Sequence, residues 1–398
     1  MSRLTSANHL KKVMSRYYTG LRIPSPGKRI AWVTSGAPIE ILRAMNIQVA
    51  YPENYAALCA ARRQSQRLME IAESSGLSED LCSYARCHIG SVLSPQAAPW
   101  KGLPRPDVLI CCNNICSTVT LWYEYLAEIL EVPLFFLDTP RVDGSPAPHQ
   151  VAYVKRQLED LVCFLEARFR RRLDEQTLAA TLKTSVKTAR LWAEIRNTAK
   201  KRPSPIEAPD LFIAMAPIVV LRGTRAALDY YRLLHEELLL RIENGVGVGR
   251  DERVRLVWDN IAIWHALFRV NQMFATHGGV FVADTYTGGW TFELKEGDPL
   301  ESMAHAYLSV FLNKGFADRL ADLEKSLSEY SAEGLVMHAN RSCKPYSLIQ
   351  PELARQISKR MGLPVLLLEC DMADPRAYAE EQLRLRIEAF MEQVGGIL

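Results

Sequence analysis

The sequence predicts an α/β protein made of two parallel-sheet units joined by a helical segment. Three observations carry that prediction. In the first and last thirds of the chain, short apolar runs are followed by a polar turn and then by apolar residues at helical spacing. From Gln150 to about Glu243, apolar residues recur at three- and four-residue intervals without strand-like runs. The 398 residues are 48% apolar and 23% charged, enough for a large core and unlike a disordered chain, a fibrous repeat or a membrane bundle.

Taken in order, Arg29-Ile-Ala-Trp-Val-Thr34 reads as the first buried strand, and Pro38 to Met45 as a helix with a tolerated first-turn proline. Asp107-Val-Leu-Ile-Cys-Cys112 is a strand, followed by a helix from about Val119 to Leu130. Pro133-Leu-Phe-Phe-Leu-Asp138 is the next strand and ends in the turn-forming stretch Thr139 to Pro148. Val154, Leu158, Leu161, Val162 and Leu165 share helical spacing, as do Leu191, Ile195, Leu228, Tyr231 and Leu238, with Lys201-Arg-Pro-Ser-Pro205 as a loop between them. The strand–helix order then returns. Arg253 to Trp258 and Gly279 to Asp284 are strands around a helix from Ile261 to His277. Gly334 to His338 and Pro364 to Glu369 flank a helix from about Pro351 to Met361. A last helix, about Ala377 to Val394, carries Leu383, Ile387, Phe390, Met391 and Val394 on one face. The expected division is 1–149, 150–249 and 250–398.

The 48 basic and 45 acidic residues leave a formal charge of +3, which gives no reason to expect a nucleic-acid partner. No apolar run approaches the roughly 18 residues of a membrane span. The start, Met1-Ser-Arg-Leu-Thr-Ser-Ala-Asn-His-Leu-Lys-Lys, has no apolar core of a secretory signal. A cytoplasmic home is expected. There the nine cysteines stay reduced, which turns attention from disulfides to metal ligation or catalysis.

Three cysteines share similar surroundings. Cys82 lies near a helix start, Cys116 follows the strand ending at Cys112, and Cys343 follows the strand ending at His338. In a parallel sheet, ligands collect at the carboxyl ends of strands, where helix N-termini also point. Amide groups and the helix dipole there are expected to lower a thiol's pKa and to suit an anionic iron–sulfur cluster. Three ligands in place of four would leave one iron open. Cys59, Cys163 and Cys370 fall on helix or strand positions and read as small buried hydrophobes, as do Cys111 and Cys112 at a strand end. Cys87 fits either role. Spacing alone leaves Cys82, Cys116 and Cys343 open between packing and ligation, because no compact C-x₂-C is present.

The segments Asp80-Leu-Cys-Ser-Tyr-Ala-Arg86, Cys112-Asn-Asn-Ile-Cys-Ser-Thr118 and Asn340-Arg-Ser-Cys-Lys-Pro-Tyr-Ser347 resemble the benzoyl-CoA reductase/2-hydroxyacyl-CoA dehydratase family. Glu369-Cys-Asp-Met-Ala-Asp-Pro-Arg376 and Arg386-Ile-Glu-Ala-Phe390 extend the resemblance from about Gly27 to the C-terminus. It implies two flavodoxin-like parallel-sheet domains and a [4Fe–4S] cluster held by Cys82, Cys116 and Cys343. It also implies a homologous second catalytic subunit, an acyl-CoA substrate, and a separate ATP-hydrolysing iron–sulfur activator that delivers low-potential electrons. The absence of a G-x-x-x-x-G-K-[ST] phosphate loop agrees with ATP hydrolysis elsewhere. Trp258-Asp-Asn-Ile-Ala-Ile263 and Ala283-Asp-Thr-Tyr-Thr-Gly288 lack the further cysteines of the family's double-cubane branch, so a single cubane is expected.

Within the family, Trp258 to Trp264 and Tyr51-Pro-Glu-Asn-Tyr55 resemble the aromatic reductases, so reductive dearomatisation of an aromatic acyl-CoA is the first expectation. Core packing is the simpler explanation for Trp258 and Trp264. A subunit of an (R)-2-hydroxyacyl-CoA dehydratase is the second reading, and a non-catalytic cluster or scaffold subunit the third. Gly245-Val-Gly-Val-Gly249 precedes a strand, so it reads as a flexible linker and not a phosphate loop. Arg168-Phe-Arg-Arg-Arg172 reads as a solvated helix face, with CoA phosphates or the activator as the alternative partner. His265 and His277 read as structural. Arg341, Lys344 and Asn113 adjoin the candidate ligands and either donate to them or cap helices. Glu53 and His88 are candidate proton donors.

Overall fold

A computed structural model describes residues 4–23, 25–248, 251–291, 293–295 and 297–396. Gly249 and the expected boundary at 249/250 lie outside these residues, as do the first three residues of the chain.

The protein holds two four-stranded, all-parallel sheets. The first contains β1 (Arg29–Val33), β2 (Ile47–Ala50), β3 (Val108–Cys112) and β4 (Leu134–Leu137), in the order β2-β1-β3-β4. The second contains β5 (Val254–Asp259), β6 (Gly279–Asp284), β7 (Gly334–Asn340) and β8 (Val365–Cys370), in the order β6-β5-β7-β8. Each sheet starts at an inner strand, moves outward once, then reverses, which is the flavodoxin-like arrangement. Ala31 pairs with Val49 on one side and Val108 on the other. Val257 likewise sits between Ala283 and Leu335. Strands β3, β5 and β6 are buried at every position because helices cover both faces, whereas edge strand β4 is half-exposed.

The strands and helices read from the hydrophobic pattern are present, but the helices Ser6–Arg22, Pro52–Ala61, Ser65–Ser74, Pro299–Leu308 and Phe316–Glu329 were not read from it, and two further departures have a local cause. The helix expected from Ile261 starts at Leu267, after a 3₁₀ turn at Trp264–Ala266. The chain leaves β5 through Asn260, which has φ 88°, and its side-chain amide donates to the His338 carbonyl at 2.7 Å. That turn spends Ile261–Ile263 on the sheet end instead of a helix. Strand β2 is the second departure, since four residues, Ile-Gln-Val-Ala, are too few to stand out as a periodic pattern. The glycine run is not a free linker where it is described. A Cβ on Gly247 would meet Pro203 at 2.7 Å, so the run is packed at Gly247, while Gly245 and Val246 are open to solvent. The arginines of the Arg168–Arg172 run are exposed, as expected of a solvated segment, but they lie at a helix end and not along a face. The helix Pro148–Phe169 stops at Arg170 in the left-handed region, and Arg171 donates to the Met45 carbonyl at 2.8 Å.

Four elements are joined by one buried polar cluster. Glu40, in the helix Ile39–Ala44, accepts from Arg222 at 2.9 Å, from Ser185 at 2.8 Å and from Tyr307 at 2.5 Å. Ser185 lies on the helix Glu175–Thr198, and Tyr307 on the helix Pro299–Leu308, which follows β6. Burial alone would raise the Glu40 carboxyl, but the Arg222 guanidinium and the three donors hold it below its ordinary value. Removing Glu40 takes the opposite charge away from the buried Arg222 guanidinium. Glu40→Ala is therefore expected to cost about 3–5 kcal/mol in urea unfolding, and a loss below about 1 kcal/mol would show that water reaches the site.

His88 is fully buried, and Trp32, Trp122 and Tyr55 pack around it with ring centroids at 4.9, 5.7 and 6.5 Å. Neither ring nitrogen has a hydrogen-bond partner, and burial pushes its pKa down to about 3. The unfolded chain takes up the proton near the ordinary value of about 6.5. The folded state thus binds fewer protons below that pH, and its stability is lost as pH falls from about 6.5 toward about 3. His88 contributes up to about 1.4 kcal/mol per pH unit in this window. His88→Phe should flatten the pH dependence of urea unfolding and be more stable than the parent at pH 5; an unchanged slope would contradict this.

Candidate active site

In each sheet the strand order reverses between the two inner strands, β1 and β3 in the first and β5 and β7 in the second. Crevices at such points bind ligands in open parallel sheets. Here the chain leaving all four inner strands lines the same cavity, of about 520 Å³. Ser35 follows β1, Cys116 follows β3, Ile261 follows β5 and Cys343 follows β7. Glu53 after β2, Tyr286 after β6 and Met372 after β8 also reach it.

The three candidate cysteines come together on this cavity and are half-buried. Cys82 caps the helix Ser83–Leu93, Cys116 lies two residues before the helix Thr118–Leu130, and Cys343 caps the turn Lys344–Ser347. Burial pushes the Cys82 thiol up to about 12, with nearby Cys116 adding to the rise and the Ala85 and Tyr84 amides opposing it. Cys116 rises to about 11 through burial against the pull of the Val119 amide. Cys343 is raised further by burial and by the other two thiols. The helix starts therefore do lower these thiols, as expected from their sequence positions, but burial outweighs them. The uncomplexed thiols are neutral, and only a strongly cationic group would hold all three as thiolates. Among the described residues, no three His, Cys, Asp or Glu side chains are close enough to hold a single metal ion. A four-iron cube is wider than one ion and asks for thiols set further apart.

The turns bearing Cys82 and Cys343 are tied by a buried clasp. Asp371, at 1% exposure, accepts from the Ser342 hydroxyl and amide through Oδ2. Its Oδ1 accepts from the amides of Ala373 and Asp374, both at 2.9 Å. The Ser342 hydroxyl in turn accepts from the Ser83 amide at 3.1 Å. Arg86 braces the first turn from the other side. It donates to the Leu81 carbonyl at 3.0 Å and pairs with Asp374 at 3.2 Å and with Glu73. At the third turn, Asn114 donates to the Gly36 carbonyl at 3.1 Å; a Cβ on Gly36 would lie 1.9 Å from the Asn114 side chain, so only glycine allows this approach.

Glu53 is the candidate proton donor that reaches the cavity. Its Oε2 accepts from the Ser35 amide at 2.6 Å and from the Ser35 hydroxyl at 2.8 Å. Burial outweighs both bonds and raises its pKa to about 7. His88 does not line the cavity, and Trp258 is core, donating to the Asn260 carbonyl at 3.0 Å. Trp264 does line it, with its indole N–H on the Tyr84 hydroxyl. Arg341, Lys344 and Asn113 are directed elsewhere. They bond respectively to Glu369, to the Arg341 carbonyl and to Asp138. His265 is structural, with Nε2 at 3.2 Å from the Asp371 carbonyl. Cys59, Cys87, Cys111, Cys112 and Cys370 are buried outside the cavity, but Cys163 is exposed on the helix Pro148–Phe169, not packed as expected. Ser35 carries no motif that would single it out, and Ser342 and Asp371 lie in the segments that carry the family resemblance without being marked there as site residues. The helix Ser6–Arg22, whose Leu10, Met14 and Tyr18 wall the cavity, was missed, although Leu10, Val13, Met14, Tyr18 and Leu21 follow helical spacing and would have marked it.

Residues 34–394 match the family described as 2-hydroxyglutaryl-CoA dehydratase, D-component. The (R)-2-hydroxyisocaproyl-CoA dehydratase alpha subunit of Clostridioides difficile is 34% identical over 381 residues, covering 95% of this chain and 93% of that one. The (R)-phenyllactyl-CoA dehydratase alpha subunit of Clostridium sporogenes is 33% identical, covering 92% and 89%. A benzoyl-CoA reductase subunit of Thauera aromatica is 31% identical, covering 89% and 86%. The chain belongs to this dehydratase and reductase family and is an enzyme subunit. Among the described residues, no helix is long and apolar enough to cross a membrane.

Replacing Asp371 by Ala leaves the Ser342, Ala373 and Asp374 donors unmet. The expected loss is about 1–3 kcal/mol in urea unfolding. Maleimide labelling of Cys82 and Cys343 in the metal-free chain should also speed up, with Cys163 unchanged. Equal labelling rates in variant and parent would show that the turns are held by other contacts.

Proposed function

We propose that this chain is the cluster-bearing subunit of a 2-hydroxyacyl-CoA dehydratase, with Cys82, Cys116 and Cys343 holding a [4Fe–4S] cluster. The observation that carries the reading is the meeting of three thiols from three separate turns on one apolar cavity beside Glu53. The donor set fits the group: three thiols on one cavity, with amide N–H groups from the neighbouring helix starts that favour the thiolate form. When bound, such a cluster supplies one-electron chemistry and, with three protein ligands, an iron open to an oxygen ligand.

This chain's own residues do the rest. The aromatic wall that includes Tyr84, Trp264 and Tyr286 excludes water from the thioester. Glu53, held by Ser35, takes or gives a proton at its carboxyl as the substrate's hydroxyl departs. The net reaction converts a 2-hydroxyacyl-CoA to a 2-enoyl-CoA and water, with no net gain of electrons. A homologous second subunit completes the enzyme core, and a separate ATP-hydrolysing iron–sulfur activator injects the electron. The family description and the two dehydratase relatives support elimination over the ring reduction that the aromatic segments pointed to. The Thauera relative keeps ring reduction as the second reading. Electron stoichiometry separates the two: elimination returns its electron and needs only catalytic reductant, whereas ring reduction consumes two electrons per product.

Iron and acid-labile sulfide, measured on the two-subunit enzyme purified without oxygen, should come to about four of each for this chain. Cys343→Ser should lose most of that iron, and Cys163→Ser should keep it, because Cys163 is exposed and away from the cavity. Equal iron in both variants would refute the ligand assignment; no iron in the intact folded protein would leave a scaffold subunit.

A further inference from the structure

We infer that the cavity selects a bulky, uncharged acyl chain, aromatic or branched, over short chains and over chains ending in a second carboxylate. The inference rests on the acyl-CoA reading above and adds the acyl class. The space, about 520 Å³, has to take the cluster on Cys82, Cys116 and Cys343 as well as the acyl group, and a short acyl chain leaves more of the remaining apolar wall without contacts than a bulky one. Its wall is aromatic to an unusual degree: Tyr84, Trp100, Trp122, Trp264, Tyr286 and Trp290 all face it. Met14, Leu58, Met215 and Val219 supply the aliphatic part. Such a surface stabilises a ring or a branched chain by burial.

The charges point the same way. Among the described lining residues, Lys11, Glu53 and Arg62 are the charged ones. Lys11 and Arg62 are exposed, and the Arg62 guanidinium lies over the Trp100 ring, 4.3 Å from its centroid. They stand at the solvent side, where cations would suit the anionic CoA portion of a thioester. The buried charge is Glu53, whose partner is Ser35 and not a cation. A second carboxylate on the acyl chain would be stripped of water, find no inner cation and meet another carboxyl group. The protein therefore disfavours it twice, by desolvation and by like charge.

The test is acyl-CoA binding to the two-subunit enzyme, read from tryptophan fluorescence, since four cavity residues are tryptophans. Saturated thioesters avoid turnover: 3-phenylpropionyl-CoA, 4-methylpentanoyl-CoA, propionyl-CoA and glutaryl-CoA. The first two should bind at least about tenfold more tightly than the last two. Leu58→Arg, with Met14→Arg as the second variant in case the first misfolds, should narrow or reverse the preference against glutaryl-CoA. Equal affinities, tighter glutaryl-CoA binding, or no gain for glutaryl-CoA in either folded variant would overturn the inference. Binding of none of the four would overturn the acyl-CoA reading itself. The expected binding order without turnover of 2-hydroxyacyl-CoAs would leave the cavity's selectivity standing and remove the dehydratase assignment.

Discussion

A parallel sheet delivers every strand's following loop to the same end, and a reversal of strand order parts two of those loops into a crevice. The whole site follows from that constraint being met twice in one chain. β1 and β3 open the first crevice, β5 and β7 the second, and the two share one cavity. Cys116 and Cys343 stand in it because each lies just beyond the third strand of its sheet. Cys82 joins them from the start of a helix in the first half of the chain. The arrangement holds only while the two halves stay docked, which gives the buried Glu40–Arg222–Tyr307 cluster and the Asp371–Ser342–Ser83 clasp their importance.

Burial, more than helix dipoles, sets the electrostatics of the cavity. The three thiols sit at helix starts that favour negative charge, yet all are raised because they are taken out of water. Glu53 is raised for the same reason despite two hydrogen bonds from Ser35. The thiols of such a site stay protonated unless a cationic group enters to favour their charged form. The apolar wall that produces this effect also selects what else can enter.

Much of the fold was legible along the chain. Continuous apolar runs such as Val108-Leu-Ile-Cys-Cys112 and Gly279-Val-Phe-Val-Ala-Asp284 marked strands buried on both faces, and long spacings such as Val154 to Leu165 marked the helices between the sheets. Edge strand β2 and the short 3₁₀ entry at Trp264 escaped because a few residues carry no period. The cysteine positions were visible as residues just after strands or before helices. What Glu53 and His88 do was not: one faces the cavity and the other is enclosed by Trp32, Tyr55 and Trp122, although each is simply a polar residue in an apolar stretch.

By itself the sequence determined the α/β class, the all-parallel sheets, the three cysteines worth watching and the family to which they belong. These are local or order-dependent properties, written in hydrophobic period and in short segments. Tertiary structure alone decided that Ser35, Glu53 and the Asp371–Ser342–Ser83 clasp belong with the three cysteines, since contacts across more than 250 positions, such as Ser83 to Ser342, leave no periodic trace. It also decided the charge state of the thiols and the shape of the space beside them. Both depend on how much water the surrounding walls exclude, and no single segment contains that information.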